Sequence, residues 1–199
     1  MAEFDEVIRH AVDELARGLV VVVPTDTVYG LAALPDRPNA IKQIFSLKGR
    51  TDAKPLPVLG ANVESLSEVV LLDERSRLLA ERYWPGPLTI VLPRATGFAH
   101  DLGGHLEENV AVRVPKSETT LRLLRIAGPL AVTSANLSGG QPALTIDDAR
   151  SVFSTAVTVY IDGGPGAGES STVISLVDEL RVLRTGPIPE GQIRQTLTP

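Results

Sequence analysis

The segment Leu19-Val20-Val21-Val22-Val23 is an unbroken apolar run dominated by β-branched valine. It suits a strand covered on both faces and is far too short to cross a bilayer. A strand buried on both sides needs layers of structure above and below it, and the flanking pattern supplies helices for that purpose. Upstream, Phe4, Val7, Ile8, Ala11, Val12 and Leu15 recur at helical spacing, with Gly18 placed as a C-cap. Downstream, Ala40, Ile41, Ile44, Phe45 and Leu47 mark a second helix. That helix closes on Lys48-Gly49, a cation at the negative end of the dipole followed by a cap residue.

The alternation continues to the end of the chain. Residues 56–59 read as a short strand, and Asp73 caps a helix reaching about Tyr83. Trp84-Pro85-Gly86-Pro87 is a turn before a strand at 88–92. Residues 110–115 and 129–132 read as strands on either side of a helix at 120–126. Thr145 with Asp148 forms a capping-box pattern. Strands at 157–161, 172–175 and 181–183 follow, and Pro189 opens a last helix. This predicts an α/β class, with an open sheet flanked by helices in a single domain over 1–199. Aromatic residues make up 4%, so the core is aliphatic.

Cysteine is absent, which excludes disulfides, thiolate metal sites and thiol catalysis. The acidic N-terminus carries no apolar signal core, and no stretch is long enough to span a membrane; the expectation is a cytoplasmic protein. A net charge of −5 argues against broad adsorption to nucleic acid, while remaining compatible with a small basic pocket. There is no P-loop and no nucleophile elbow. Gly163-Gly164-Pro165-Gly166-Ala167-Gly168 has the wrong spacing for a dinucleotide loop and precedes a strand instead of a helix. His100 and His105, flanking Asp101 and two glycines, read as a solvated loop, and no metal site is expected. Without a thiol or a placed histidine base, an enzyme built on this chain works by positioning and electrostatics.

Three clusters sit where strands or helices end: Pro24 to Leu31 with Thr25-Asp26-Thr27, Lys48-Gly49-Arg50 with Lys54 beyond it, and Thr133-Ser134-Ala135-Asn136. Loops at carboxyl ends of strands gather ligands in open α/β sheets. Lys and Arg one glycine apart can address one polyanion, and Ser and Asn two apart can bond a phosphate or a sugar. Each cluster also has a plain reading, as a turn, a helix end or a loop. Arg113 interrupts an apolar strand, so it is either exposed on a half-wet face or buried with an anionic partner. Arg184 is similarly ambiguous.

In combination the clusters are specific. Pro24 to Leu31, Lys48-Gly49-Arg50, Trp84-Pro85-Gly86-Pro87-Leu88-Thr89, Val112-Arg113-Val114-Pro115, residues 133–139, Ser171-Thr172-Val173-Ile174 and Arg184-Thr185-Gly186 stand in the order found in the YrdC-like (TsaC-like) family. The chain resembles its short form over about residues 4–193. The resemblance implies a twisted, open, mixed sheet around a concave basic cavity. It implies an L-threonylcarbamoyladenylate synthase, a nucleotidyltransferase joining L-threonine, bicarbonate or CO2 and ATP for threonylcarbamoyladenosine modification of tRNA. Mg2+ is expected with the ATP. By this resemblance Lys48 and Arg50 are catalytic cations facing phosphate, with Lys54, Ser134, Asn136 and Arg184 as further ATP contacts. Thr27 and Arg113 match threonine-binding positions, and Ser171 or Thr172 lies near threonine. Weak tRNA binding and handover of the labile product to a tRNA threonylcarbamoyl-transfer complex are implied as well; no membrane is involved.

Two departures stand out. Residues 54–59 are Lys-Pro-Leu-Pro-Val-Leu, where the family often has Asn-Pro-Leu-x-Val-His. Lys54 thus replaces an amide, and Leu59 replaces a histidine that helps hold the amino acid. Two rival readings are a carbamoyl-adenylate enzyme akin to a hydrogenase maturation domain and a non-catalytic RNA-binding module. The missing cysteines disfavour the first, and the acidic balance disfavours the second.

Overall fold

Residues 2–49, 54–103 and 107–198 are described by the computed structural model. The chain runs α1 (Ala2–Ala16), β1 (Val21–Val23), β2 (Gly30–Ala33), α2 (Pro38–Lys48), β3 (Val58–Leu59), α3 (Val63–Ser67), α4 (Glu74–Tyr83), β4 (Leu88–Pro93) and β5 (Asn109–Arg113). It continues with α5 (Glu118–Ala127), β6 (Leu130–Ser134), α6 (Ile146–Phe153), β7 (Val159–Tyr160), β8 (Thr172–Ser175), β9 (Arg181–Arg184) and α7 (Glu190–Leu197). The helix ends follow local chemistry. Gly49 takes φ 60° and donates its N–H to Phe45 and Ser46 carbonyls. Asp73 accepts from the Ser76 N–H, and Thr145 with Asp148 forms the reciprocal box.

The strands form one mixed sheet in the order β7-β1-β2-β6-β3-β5-β4-β8-β9. The pairs β1–β7, β3–β5 and β4–β8 are parallel, and the others antiparallel. This is the open α/β sheet flanked by helices that the sequence predicts. Several strands differ from expectation in extent: the one at 56–59 shrinks to Val58–Leu59, the one at 157–161 to Val159–Tyr160 and the one at 110–115 to Asn109–Arg113, while β6 runs on to Ser134. β2 and α3 are additions that the residue pattern did not announce. No described helix is long and apolar enough to cross a membrane.

Alternation of side chains across the strands sends them into two apolar clusters. Val22, Leu31, Val58, Ile90, Val112 and Ile174 pack on one face with Ile41 and Ile44 of α2, Leu79 of α4, Phe153 of α6 and Ile193 of α7. Val21, Val23, Ala32, Leu59, Leu130 and Val132 pack on the other with Ile8, Ala11 and Leu15 of α1 and Leu123 and Leu124 of α5. The β-branched run is therefore covered on both faces. Since Val112, Ile90 and Ile174 belong to the first cluster, their neighbours Arg113, Thr89 and Val173 turn to the second face. The apolar cluster on that face does not extend over β5, β4 and β8. That part of the sheet is left as the floor of a cavity.

Candidate active site

The cavity holds about 490 Å³, a size suited to a small-molecule ligand. Thr27, Lys54, Arg113, Ser134, Ser171 and Arg184 line it, so six of the residues singled out from the sequence meet there. Among the described residues, its charged lining groups, Lys54, Arg113 and Arg184, are all cations. Leu59, Ala111, Val132 and Val173 supply an apolar floor.

Arg113 is 5% exposed and is fixed from two loops. Its Nε donates to the Gly86 carbonyl at 2.9 Å, Nη1 to Thr27 Oγ1 at 3.0 Å and Nη2 to Asp26 Oδ1 at 2.5 Å. Of the two sequence alternatives for this residue, burial with an anionic partner holds. Burial pushes the Arg113 pKa down and the Asp26 carboxylate pulls it back up. Asp26 Oδ1 also accepts the Lys116 N–H at 2.9 Å. Thr25 Oγ1 in turn accepts the Thr27 and Val28 N–H groups at 3.2 Å each and bonds the Val28 carbonyl at 2.6 Å, which fixes the turn that presents Thr27. The Trp84-Pro85-Gly86-Pro87 turn thus has a positioning role: Gly86 N–H donates to the Val114 carbonyl at 2.9 Å while its own carbonyl holds Arg113.

The opposite wall is built around Ser171. Its hydroxyl lies 2.8 Å from Thr89 Oγ1 and accepts from Arg184 Nη2 at 3.0 Å, while Arg184 Nε donates to the Ser171 carbonyl at 3.0 Å. Burial lowers the Arg184 pKa. Gly186 permits this arrangement: a Cβ there would lie 2.5 Å from Ser170 O and Thr172 N. Thr172 lies outside the lining, fully buried on the other face, where its Oγ1 donates to the Ile188 carbonyl at 2.9 Å.

Ser134 lines the cavity, whereas Asn136 and Lys48 stand behind it. Ser134 Oγ donates to Asn136 Oδ1 at 2.6 Å, and Asn136 Nδ2 donates to the Leu137 and Gly140 carbonyls at 2.7 and 3.0 Å. Lys48 Nζ is 2.6 Å from the Ser134 carbonyl and 2.9 Å from that of Asn136. Among the described residues, its ammonium faces the 134–136 loop. Arg50 lies outside the described residues.

The sequence reading left out three residues. Asp26 was quoted within its motif but not as the partner of Arg113. Thr89, half of the wall around Ser171, was quoted only within a motif. Tyr29 is fully buried and lines the cavity, with its hydroxyl 2.9 Å from the Gly164 carbonyl and 3.2 Å from Asp162 Oδ1. Their partners are distant in sequence, so spacing carries no signal for them. Among the described residues no group of acidic or imidazole side chains could hold a metal ion.

Comparison with known proteins adds to this geometry. The model of the Sua5/YciO/YrdC family, described as "Telomere recombination", matches residues 13–186. A Pyrococcus abyssi threonylcarbamoyl-AMP synthase is 38% identical over 96% of this chain and 57% of its own length. A Mycobacterium tuberculosis (strain H37Rv) protein, provisionally given that name, is 36% identical over 94% of this chain and 87% of its own. The crystal structure of P. abyssi Sua5 complexed with L-threonine superposes with a TM-score of 0.87 at 36% identity, covering 96% of this chain and 57% of that one. This chain thus spans little more than half of the archaeal relative and most of the mycobacterial one. On sequence and fold together, the chain belongs to the Sua5/YciO/YrdC family.

Proposed function

We propose that the chain is a threonylcarbamoyl-AMP synthase, a nucleotidyltransferase that condenses L-threonine, bicarbonate or CO2 and ATP into threonylcarbamoyl-AMP and pyrophosphate. The observation that carries this reading is the convergence of Arg113, Thr27, Ser134, Arg184 and Lys54 on one cavity, in a chain whose relatives bear that name.

The chemistry needs no nucleophile from the protein. The threonine amine captures CO2 as a carbamate, and a carbamate oxygen attacks the α-phosphorus of ATP. The bond to the β-phosphate oxygen breaks, and pyrophosphate leaves. The protein aligns the reactants and neutralises charge. Arg113 addresses the amino-acid carboxylate as a fork: Nε, one Nη1 donor and one Nη2 donor bond the protein, and each Nη carries a second N–H to offer. Thr27 stands beside it, Ser171 lines the same cavity, and Leu59 faces that space with an apolar surface. Lys54, Ser134 and Arg184 face the nucleotide, with Arg50 joining them by its family position. The described lining offers no carboxylate to a cation. Magnesium brought by the triphosphate would therefore keep phosphate oxygens and water as its ligands.

The proposal extends to tRNA modification in the cytoplasm, with handover of the labile product to a tRNA threonylcarbamoyl-transfer complex and weak tRNA contact at most. The test is pyrophosphate release with each substrate omitted in turn, together with mass spectrometry of the product from ATP and each amino acid. Release should require both threonine and bicarbonate. Release that continues without threonine rejects the substrate assignment.

A further inference from the structure

We infer that Lys48 is a positioning residue: its buried ammonium shapes the 134–136 loop that meets the nucleotide, and does not itself bind phosphate. The inference deepens the nucleotide reading above and rests on it.

Lys48 is the last residue of α2 and is 4% exposed. A buried ammonium must be matched by acceptors, and among the described residues three acceptor atoms for Lys48 come from one loop. Nζ lies 2.6 Å from the Ser134 carbonyl, 2.9 Å from the Asn136 carbonyl and 3.4 Å from Asn136 Oδ1. The main chain repeats the tie, since the Ser138 N–H donates to the Lys48 carbonyl at 2.8 Å. Three rotatable donors on one compact cation suit two converging carbonyls and an amide oxygen better than a planar fork would. The C-terminal end of α2 adds a favourable field for the charge.

The consequence reaches the cavity through Ser134. Turning the Ser134 and Asn136 carbonyls toward Lys48 fixes the main chain on either side of Ala135, whose N–H donates to the Tyr29 carbonyl at 2.8 Å. With Asn136 Oδ1 held in place, Ser134 Oγ is fixed by its 2.6 Å bond to that oxygen. Remove the ammonium, and the two converging carbonyls lose the donor they share, the Ser134 carbonyl keeping the Asn136 N–H at 3.0 Å. The Ser134 hydroxyl then loses its orientation.

The experiment uses Lys48→Met and reads two things. In nucleotide-free protein, amide hydrogen exchange over 135–140 should quicken by at least about tenfold while that of β1 and β4 stays unchanged. In turnover, the KM for ATP should rise by about tenfold or more while the KM for threonine stays within about twofold. If Lys48→Met does not fold, Lys48→Gln, which keeps an N–H donor, should show the same pattern more weakly. Unchanged exchange with a raised KM for ATP means that the lysine acts on the nucleotide directly, and it overturns the inference. Quickened exchange with an unchanged KM for ATP overturns it too, because the loop then does not serve the nucleotide. Wild-type protein that consumes no ATP would reject the proposed function instead, and the exchange arm would still report on the loop.

Discussion

Arg113 is a cation inside a strand whose neighbours Val112 and Val114 are buried. Such a group is tolerated when a nearby charge offsets its desolvation, and Asp26 supplies that charge at 2.5 Å. Asp26→Ala should lower stability by about 3 kcal/mol, because it leaves a buried guanidinium without its anion; chemical denaturation of the two proteins measures the difference. Arg113→Lys keeps the charge but loses the planar fork, so the KM for threonine should rise at least about tenfold with a smaller effect on ATP. An unaltered KM for threonine in steady-state assays would remove Arg113 from the amino-acid subsite. The sequence exposed the anomaly of an arginine in an apolar strand and the need for an anion. It did not identify that anion, because Asp26 is 87 positions away. Lys48 illustrates the same gap: a Lys-Gly-Arg motif signals cations near a ligand, but burial decides which way the ammonium turns.

At the level of elements, what is local was legible. The box of Thr145 and Asp148, the Asp73 cap and the glycine that ends α2 depend on bonds within a few residues, and all were readable in the sequence. β2 was not, because Gly-Leu-Ala-Ala has no β-branched residue and little strand preference of its own. Its extended state comes from pairing with β1 on one side and β6 on the other. Gly30 is needed there, since a Cβ would meet Val132 Cγ1 at 2.6 Å. The tighter case is Gly186, whose missing Cβ leaves room for backbone atoms of Ser170 and Thr172. Backbone cannot yield as a side chain does, so Gly186→Ala should cost about 2 kcal/mol by overpacking. Urea midpoints check this, and a variant as stable as the parent would mean that the segment after β9 parts from residues 170–172 more easily than its packing suggests.

Across the whole molecule, distant segments are tied together around the cavity. Tyr29 immediately precedes β2, yet its hydroxyl accepts the Gly163 N–H at 3.2 Å and donates to the Gly164 carbonyl at 2.9 Å. Gly166 then packs on Thr27 so closely that a Cβ would lie 2.5 Å from the Thr27 carbonyl. Tyr29→Phe keeps the ring in the core and removes this tie. It should cost about 1–2 kcal/mol and quicken proteolysis within 162–168. Equal denaturation midpoints and equal cleavage rates would show that the loop is held by its backbone contacts alone.

The residue pattern by itself determined the α/β class, most of the helices and strands, and the identity of many cavity-lining groups, because periodicity, caps and loop motifs are written within short windows. Strand order, the half-covered face of the sheet, the partner of Arg113 and the direction of Lys48 were decided only by the tertiary structure. Each of those depends on contacts between segments far apart in the chain, where burial and the requirement to satisfy buried polar groups outweigh any local preference.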